Sequence, residues 1–391
     1  EFALTGDGAG LDGLAPELAG VAVTGPAALA RLTSADVVIK SPGVPHASPE
    51  YAAVRDLGIP ITSLTDLWLS VNPGRVLAVS GTKGKSTTSS LVHHLLLSVD
   101  VNAELVGNGG TPVTDAGSIG DEVAVVEVSS YQAAELTVSP RVVALTSLYP
   151  EHLPWHGGYE QYVHDKLNLV AHGCEVVVVP DQDGEIARLV RARAGGARVV
   201  DPGSLGITVS EGGIDWDGVG RLDAGEVPIR GTHNLSNVAL ALTAVATGFD
   251  LSADHVSRLL SAVPAYSPLA HRLELVPSND GRRWVDDGLA TAPEAVVAAL
   301  QTYPHDRIAL VLGGADRGLS FEPLRCYLQT RTDVHVVAVG PAGARWMEEG
   351  GAGLNSRHAG SFAEAMAVVR SDLAGCDLVL LSPGAPSFAL A

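Results

Sequence analysis

Residues 76–90 run Val-Leu-Ala-Val-Ser-Gly-Thr-Lys-Gly-Lys-Ser-Thr-Thr-Ser-Ser. The apolar run Val76 to Val79 predicts a buried parallel strand, broken at Gly81, and the stretch Thr87 to Leu97 predicts a helix. Strand, glycine-bearing turn and helix in direct succession restrict the chain to an α/β design. The turn points consecutive backbone N–H groups into one concavity, at the positive end of the helix dipole, where phosphate binds. Lys85 is placed to reach terminal phosphates and the Ser86 hydroxyl to ligate magnesium, with Gly81, Thr82, Lys83, Gly84 and Thr87 shaping the loop. The full phosphate-loop pattern asks for one more glycine, at position 79, where this chain has Val79.

A length of 391 residues predicts two or three domains, at ~100–200 residues each. Apolar stretches alternate with Ala/Leu-rich helical ones throughout, the signature of parallel sheets with crossover helices. Asn72-Pro-Gly74 and Val263-Pro-Ala-Tyr-Ser-Pro268 read as linkers, giving blocks 1–72, 73–266 and 267–391. The first block holds Asp36-Val-Val-Ile39 as a strand and a helix near Ser48–Leu57; the last holds strands at Ile308–Leu312, Val334–Val339 and Leu378–Leu381. Glu1 opens the chain with no early strand and glycine turn, and Ala391 closes it soon after a strand with no helix over that edge. Both ends therefore read as incomplete.

The net charge of −19 argues against nucleic acid, which needs clustered Lys and Arg. No apolar stretch is long enough to span a bilayer, and no charged-then-apolar leader points to export. Cys174, Cys326 and Cys376 form neither a disulfide framework nor a zinc pattern, so reduced thiols in a cytoplasm are the simplest reading.

A second apolar run, Val123 to Val126, ends in Glu127-Val-Ser-Ser-Tyr-Gln132 and puts a carboxylate at a strand's C-terminal end, where open α/β sheets bind ligands. His152, Lys166, Gly231-Thr-His-Asn-Leu-Ser-Asn237 and Ala270-His-Arg-Leu-Glu274 follow. In order and spacing these elements resemble the Mur ligase family, the ATP-dependent amide-forming enzymes of peptidoglycan precursor synthesis. The resemblance runs from Ser41-Pro-Gly43 to Ser382-Pro-Gly384. It implies three domains on largely parallel sheets, with the UDP-substrate domain incomplete, a central ATP domain, and a C-terminal amino-acid domain whose end is truncated. It also implies ATP and Mg²⁺ as cofactors, a cytoplasmic monomer, and addition of glutamate to UDP-N-acetylmuramoyl-L-alanine through an acyl phosphate.

The resemblance also assigns residues. Lys85, Glu127, His152, Lys166 and Arg272 would be catalytic; Ser86, Glu127, His152 and Lys166, the last as a carbamate, would hold magnesium. His233, Asn234 and Asn237 would meet adenine and phosphates at the start of a helix from Leu235 to Thr247. Arg272 would reach the γ-phosphate and Asp287 the ribose; Asn108 in Gly107-Asn-Gly-Gly110, Ser129 and Gln132 would contact the muramoyl nucleotide.

This chain departs from the pattern of D-glutamate ligases at informative places. After Asp287 it reads Gly-Leu-Ala-Thr-Ala292, so Leu289 stands where a lysine is usual. Arg317 replaces a second lysine, and Lys83 replaces an asparagine. Arg and Lys bind carboxylates with different geometry and reach. The substitutions resemble a branch that adds L-glutamate and works with an epimerase, D-glutamate being the family default. Arg317 and Ser387 would face the incoming amino acid. The competing readings are another Mur or folylpolyglutamate-type ligase, and a nucleotide-binding module without chemistry. A second metal position at His152 and Lys166 speaks against the module, which has no use for one.

Overall fold

The computed structural model describes residues 2–3, 22–23, 26–108, 111–116, 120–316 and 318–385. Two compact units emerge. The first comprises 1–223 and 236–264, the second 224–235 and 265–391.

The first unit is built on a six-stranded, all-parallel sheet in the order Arg198–Val200, Val176–Val178, Val142–Leu145, Val76–Ser80, Val123–Glu127, Ala103–Gly107. The three central strands are buried along their whole length, which is why they read as continuous apolar runs rather than alternating ones. Strand Val76–Ser80 lies where the chain's progress across the sheet reverses, with Val123–Glu127 on one side and Val142–Leu145 on the other. Loops leaving such a switch point open a crevice at the C-terminal strand ends. Helix Lys85–Ser98 follows at once, its Leu91, Val92, Leu95 and Leu96 fully buried. A three-stranded antiparallel sheet, Ile207–Ser210, Gly213–Trp216 and Gly220–Asp223, was not foreseen.

The second unit holds a six-stranded sheet in the order Glu274–Val276, Arg283–Asp286, Leu378–Leu381, Ile308–Gly313, Val334–Val339, Ser356–Ala359. Only Glu274–Val276 runs antiparallel to its neighbour. Successive side chains on a strand point to opposite faces. Leu310, Leu312, Val336, Ala338, Leu378 and Leu380 accordingly enter one core, and Ala309, Val311, Val337, Val339 and Val379 enter the other.

Several expectations change. Phe2–Ala3 pairs in parallel with Ala22–Val23, an early strand where none was expected; two residues carry too little pattern to be read. The first-block strand is only Val38–Ile39, paired with Ile61–Thr62. Leu378–Leu381 is not an edge awaiting a helix, since it pairs on both sides within the sheet. The helix expected from Leu235 begins at Thr232 and runs to Gly248, so His233 and Asn234 lie in its first turn. Thr232–Leu235 belong to the second unit and Ser236 onward to the first. Among the described residues no helix is long and apolar enough to cross a membrane.

Leu310 has no exposed surface and sits in a central strand. Leu310→Ala should cost about 2–5 kcal/mol of unfolding free energy, read from the chemical-denaturation midpoint. A loss under about 1 kcal/mol would show that this face is not close-packed.

Candidate functional site

The strand explains the missing glycine. Val79 is fully buried and pairs with Glu127 on one side and Ala144 on the other, so the strand continues to Ser80 and the loop begins only at Gly81. The two loop glycines are the ones geometry demands. A Cβ at Gly81 (φ 141°) would stand 2.0 Å from Thr146 Oγ1, and one at Gly84 (φ 86°) would stand 2.6 Å from Asn237 Oδ1. Asn237 thus packs directly on the phosphate loop.

The segment following strand Val142–Leu145 grips this loop. Thr82 N–H donates to the Ser147 carbonyl at 2.9 Å. Thr82 Oγ1 accepts from Tyr149 N–H at 2.9 Å, donates to the Tyr149 carbonyl at 3.1 Å, and meets the Tyr162 hydroxyl at 2.6 Å. Lys83 Nζ pairs with Glu151 Oε1 at 2.7 Å. Lys85 folds back, donating to the Gly81 and Thr82 carbonyls at 3.2 and 3.0 Å. Burial pushes the Glu151 carboxyl up, but Lys83, Lys85 and His152 more than offset it and hold it below the ordinary range.

Glu127 closes its strand with only 3% of its surface exposed. Asn108 Nδ2 donates to its Oε1 at 2.9 Å, while Oε2 is buried without a hydrogen-bond partner among the described residues. A buried, unpaired carboxylate oxygen is costly unless a cation meets it, and hard oxygen suits magnesium. The residues present therefore fit a divalent ion, with Ser86 in the first turn of the adjacent helix. His152 takes a left-handed backbone (φ 56°), caps the short helix Leu153–His156 and lies 4.9 Å from the Tyr131 ring. Burial, opposed by Glu151 and assisted by Lys85, depresses its pKa and favours the neutral imidazole that can serve as a ligand.

Lys166 is 2% exposed, and its Nζ donates to the Gly81 carbonyl at 2.8 Å. Burial first, and the Lys85 charge second, drive its pKa well below that of an ordinary lysine, with Glu151 and Glu127 opposing. The neighbouring Asp165 faces a different network. His156 bridges it to helix Ser130–Ala133, its Nδ1 2.6 Å from Asp165 Oδ2 and its Nε2 3.0 Å from Ser130 Oγ. Further out, Glu135 Oε1 takes both Lys40 Nζ at 3.2 Å and His46 Nε2 at 2.6 Å. His46 Nδ1 in turn lies 3.9 Å from Asp165 Oδ2, which ties this cluster to helix Tyr159–Leu167.

Ser129 and Gln132, expected to meet a nucleotide substrate, satisfy one another as a capping box at the start of helix Ser130–Ala133. Asn108 is similarly engaged with Glu127. Sequence reasoning passed over Glu151, Tyr162 and Ser147 as functional positions. The signal available was their closeness in sequence to His152 and Lys166.

The second unit carries Arg272 and Asp287. Asp287 is 7% exposed and accepts from Ser382 Oγ at 2.8 Å. Burial raises its pKa to about 6, with Ser382 and Arg272 opposing. Arg272 lies between two left-handed residues, His271 (φ 60°) and Leu273 (φ 50°), and His271 Nδ1 is 2.7 Å from Asp286 Oδ2. Asn234 is buried and donates to the Arg230 carbonyl at 2.7 Å, whereas His233 is exposed. Arg317, Ser387 and the glycines at 109 and 110 lie outside the described residues.

Residues 79–245 match the Mur ligase middle domain, and residues 271–384 match the Mur ligase glutamate ligase domain. A relative from Salinispora tropica, named UDP-N-acetylmuramoyl-L-alanine--L-glutamate ligase, is 40% identical over 94% of this chain and 82% of its own length. A relative of the same name from Xanthomonas campestris is 34% identical over 91% of this chain and 79% of its own. Among solved structures, MurF from Acinetobacter baumannii shares the fold at a TM-score of 0.61 and 19% identity, over 86% of this chain and 78% of that one.

The Asp287 shift has a signed consequence. Its folded pKa of about 6 lies above the ordinary 3.8, so the folded state holds the proton more tightly in that window. Stability falls as pH rises through the window, and the full cost is carried at neutral pH. Asp287→Asn should therefore stabilise the protein at pH 7.5 by at most about 3 kcal/mol, and most of that gain should vanish at pH 4. Equal effects at the two pH values in denaturation experiments would contradict the burial argument.

Proposed function

The chain belongs to the Mur ligase family of ATP-dependent amino-acid ligases, and from that premise we propose that it joins L-glutamate to UDP-N-acetylmuramoyl-L-alanine in cytoplasmic cell-wall precursor synthesis. The observation that supports this most is 40% identity, over 94% of the chain, to a relative named for that reaction. Leu289 adds to it, because the cation usual in D-glutamate ligases is absent there. The three blocks 1–72, 73–266 and 267–391 would serve the UDP substrate, ATP and the amino acid respectively.

Carboxylate and amine do not condense in water. In the proposed reaction ATP phosphorylates the alanyl carboxylate, releasing ADP; the glutamate amine then attacks the acyl phosphate and phosphate leaves. Such chemistry is mainly positioning and charge neutralisation. Lys85 would unfold from its own loop carbonyls onto the terminal phosphates, joined by the N–H groups of the turn. Ser86, Glu127, His152 and a carbamylated Lys166 would hold magnesium, which neutralises phosphate charge when bound. The depressed Lys166 supports that modification: a neutral amine attacks CO₂, loses a proton, and becomes an oxygen anion. Asn108 holds one Glu127 oxygen and would leave the other for the cation. His233, Asn234 and Asn237 would contact adenine and phosphates, Arg272 the γ-phosphate and Asp287 the ribose. Ser129 and Gln132 would border the muramoyl nucleotide, while Arg317 and Ser387 would receive the glutamate carboxylates. A monomer suffices for all these roles.

Two measurements bear on this reading. With labelled D- and L-glutamate in competition, the L form should dominate the product; comparable incorporation would remove the argument from Leu289 and Arg317. Lys166→Ala should lose at least about a hundredfold in turnover, as expected when a positioned charge is removed, with partial recovery on adding a short carboxylic acid. Full activity with an unmodified lysine mass would rule out the carbamate.

A further inference from the structure

Lys83 and Glu151 form an ion pair that the chemistry above leaves without a task. The pair sits on the phosphate loop itself. The backbone of Lys83 is fixed there: its N–H donates to Ser147 Oγ at 2.8 Å, and its carbonyl accepts from Ser147 Oγ at 3.1 Å and from Thr146 Oγ1. Only the long side chain can swing, over the turn that opens helix Lys85–Ser98. Both loop lysines rest on protein oxygens, but differently. Lys85 lies on neutral carbonyls, whereas Lys83 lies on a carboxylate that also feels Lys85 and His152. A polyphosphate entering this turn offers Lys83 several anionic oxygens and repels Glu151. Phosphate and Glu151 are therefore rivals for one ammonium.

We propose that Lys83 and Glu151 are a charge-exchange latch: Glu151 holds the Lys83 ammonium in the nucleotide-free protein, and the nucleotide's phosphates take it over on binding. Glu151 is then a positioning residue that acts through Lys83. This rests on the reading that the loop binds a nucleoside triphosphate. It differs from simple repulsion, in which Glu151 would weaken phosphate binding whatever stood at position 83.

A double-mutant cycle separates the two. The affinity of a non-hydrolysable ATP analogue, with magnesium in excess, is measured by calorimetry for the parent, Glu151→Gln, Lys83→Met and the double variant. The two side chains are 23% and 40% exposed, so neither change hollows the core. The latch requires Glu151→Gln to tighten binding by about fivefold in the parent and by less than about twofold in the Lys83→Met background. Equal tightening in both backgrounds would identify plain repulsion and overturn the latch. No tightening in the parent would overturn it as well. A parent protein that binds no nucleotide would instead refute the reading of the loop, and the latch with it.

Discussion

The contact on which the first unit's site depends is the one between Lys166 Nζ and the Gly81 carbonyl, 2.8 Å long and closed to solvent. An ammonium so buried is expensive, and its pKa falls accordingly. What makes the placement tolerable is the rest of helix Tyr159–Leu167. Tyr162 reaches Thr82 in the same loop, and Asp165 locks the opposite side to His156 and, through it, to Ser130. One short helix thus fixes the loop, buries its own lysine against it, and ties both to the helix that follows Glu127.

Each unit also carries one costly buried carboxylate. Glu127 keeps one buried oxygen without a partner among the described residues, and Asp287 remains a carboxylate in surroundings that favour its acid form. Neither arrangement helps the fold. Carboxylates held in this way cluster at functional sites, and the well-packed sheets around them offset their cost.

Much of this was legible in the residues. Val76–Ser80, Val123–Glu127, Val334–Val339 and Leu378–Leu381 are buried on both faces, so each is dominated by apolar residues without a strict alternation, and the glycine turn before Lys85 carries its own geometry. Spatial order is not legible, because the position of a strand in a sheet depends on crossovers that leave no local mark; for that reason Leu378–Leu381 reads as an edge and yet lies inside the sheet. The short pairs Phe2–Ala3 and Val38–Ile39, and the antiparallel strands of 207–223, lack a pattern long enough to stand out. Around the site, Lys85 and Glu127 were evident from type and place. Partners such as Glu151 for Lys83 or Asn108 for Glu127 were not, since a hydrogen bond across 68 or 19 residues has no sequence signature.

The central place of Leu378–Leu381 has a consequence for how the protein is made. Arg283–Asp286 and Ile308–Gly313 are both its neighbours, and they are joined to each other only through it. Until that segment leaves the ribosome, each strand presents a bare row of amides and carbonyls with an apolar surface beside it. The unit's sheet therefore closes only when that segment is inserted between two strands made before it. Pairing at such sequence distance is slow, and until it happens the two halves expose the edges and apolar surface that make partly folded chains prone to aggregate.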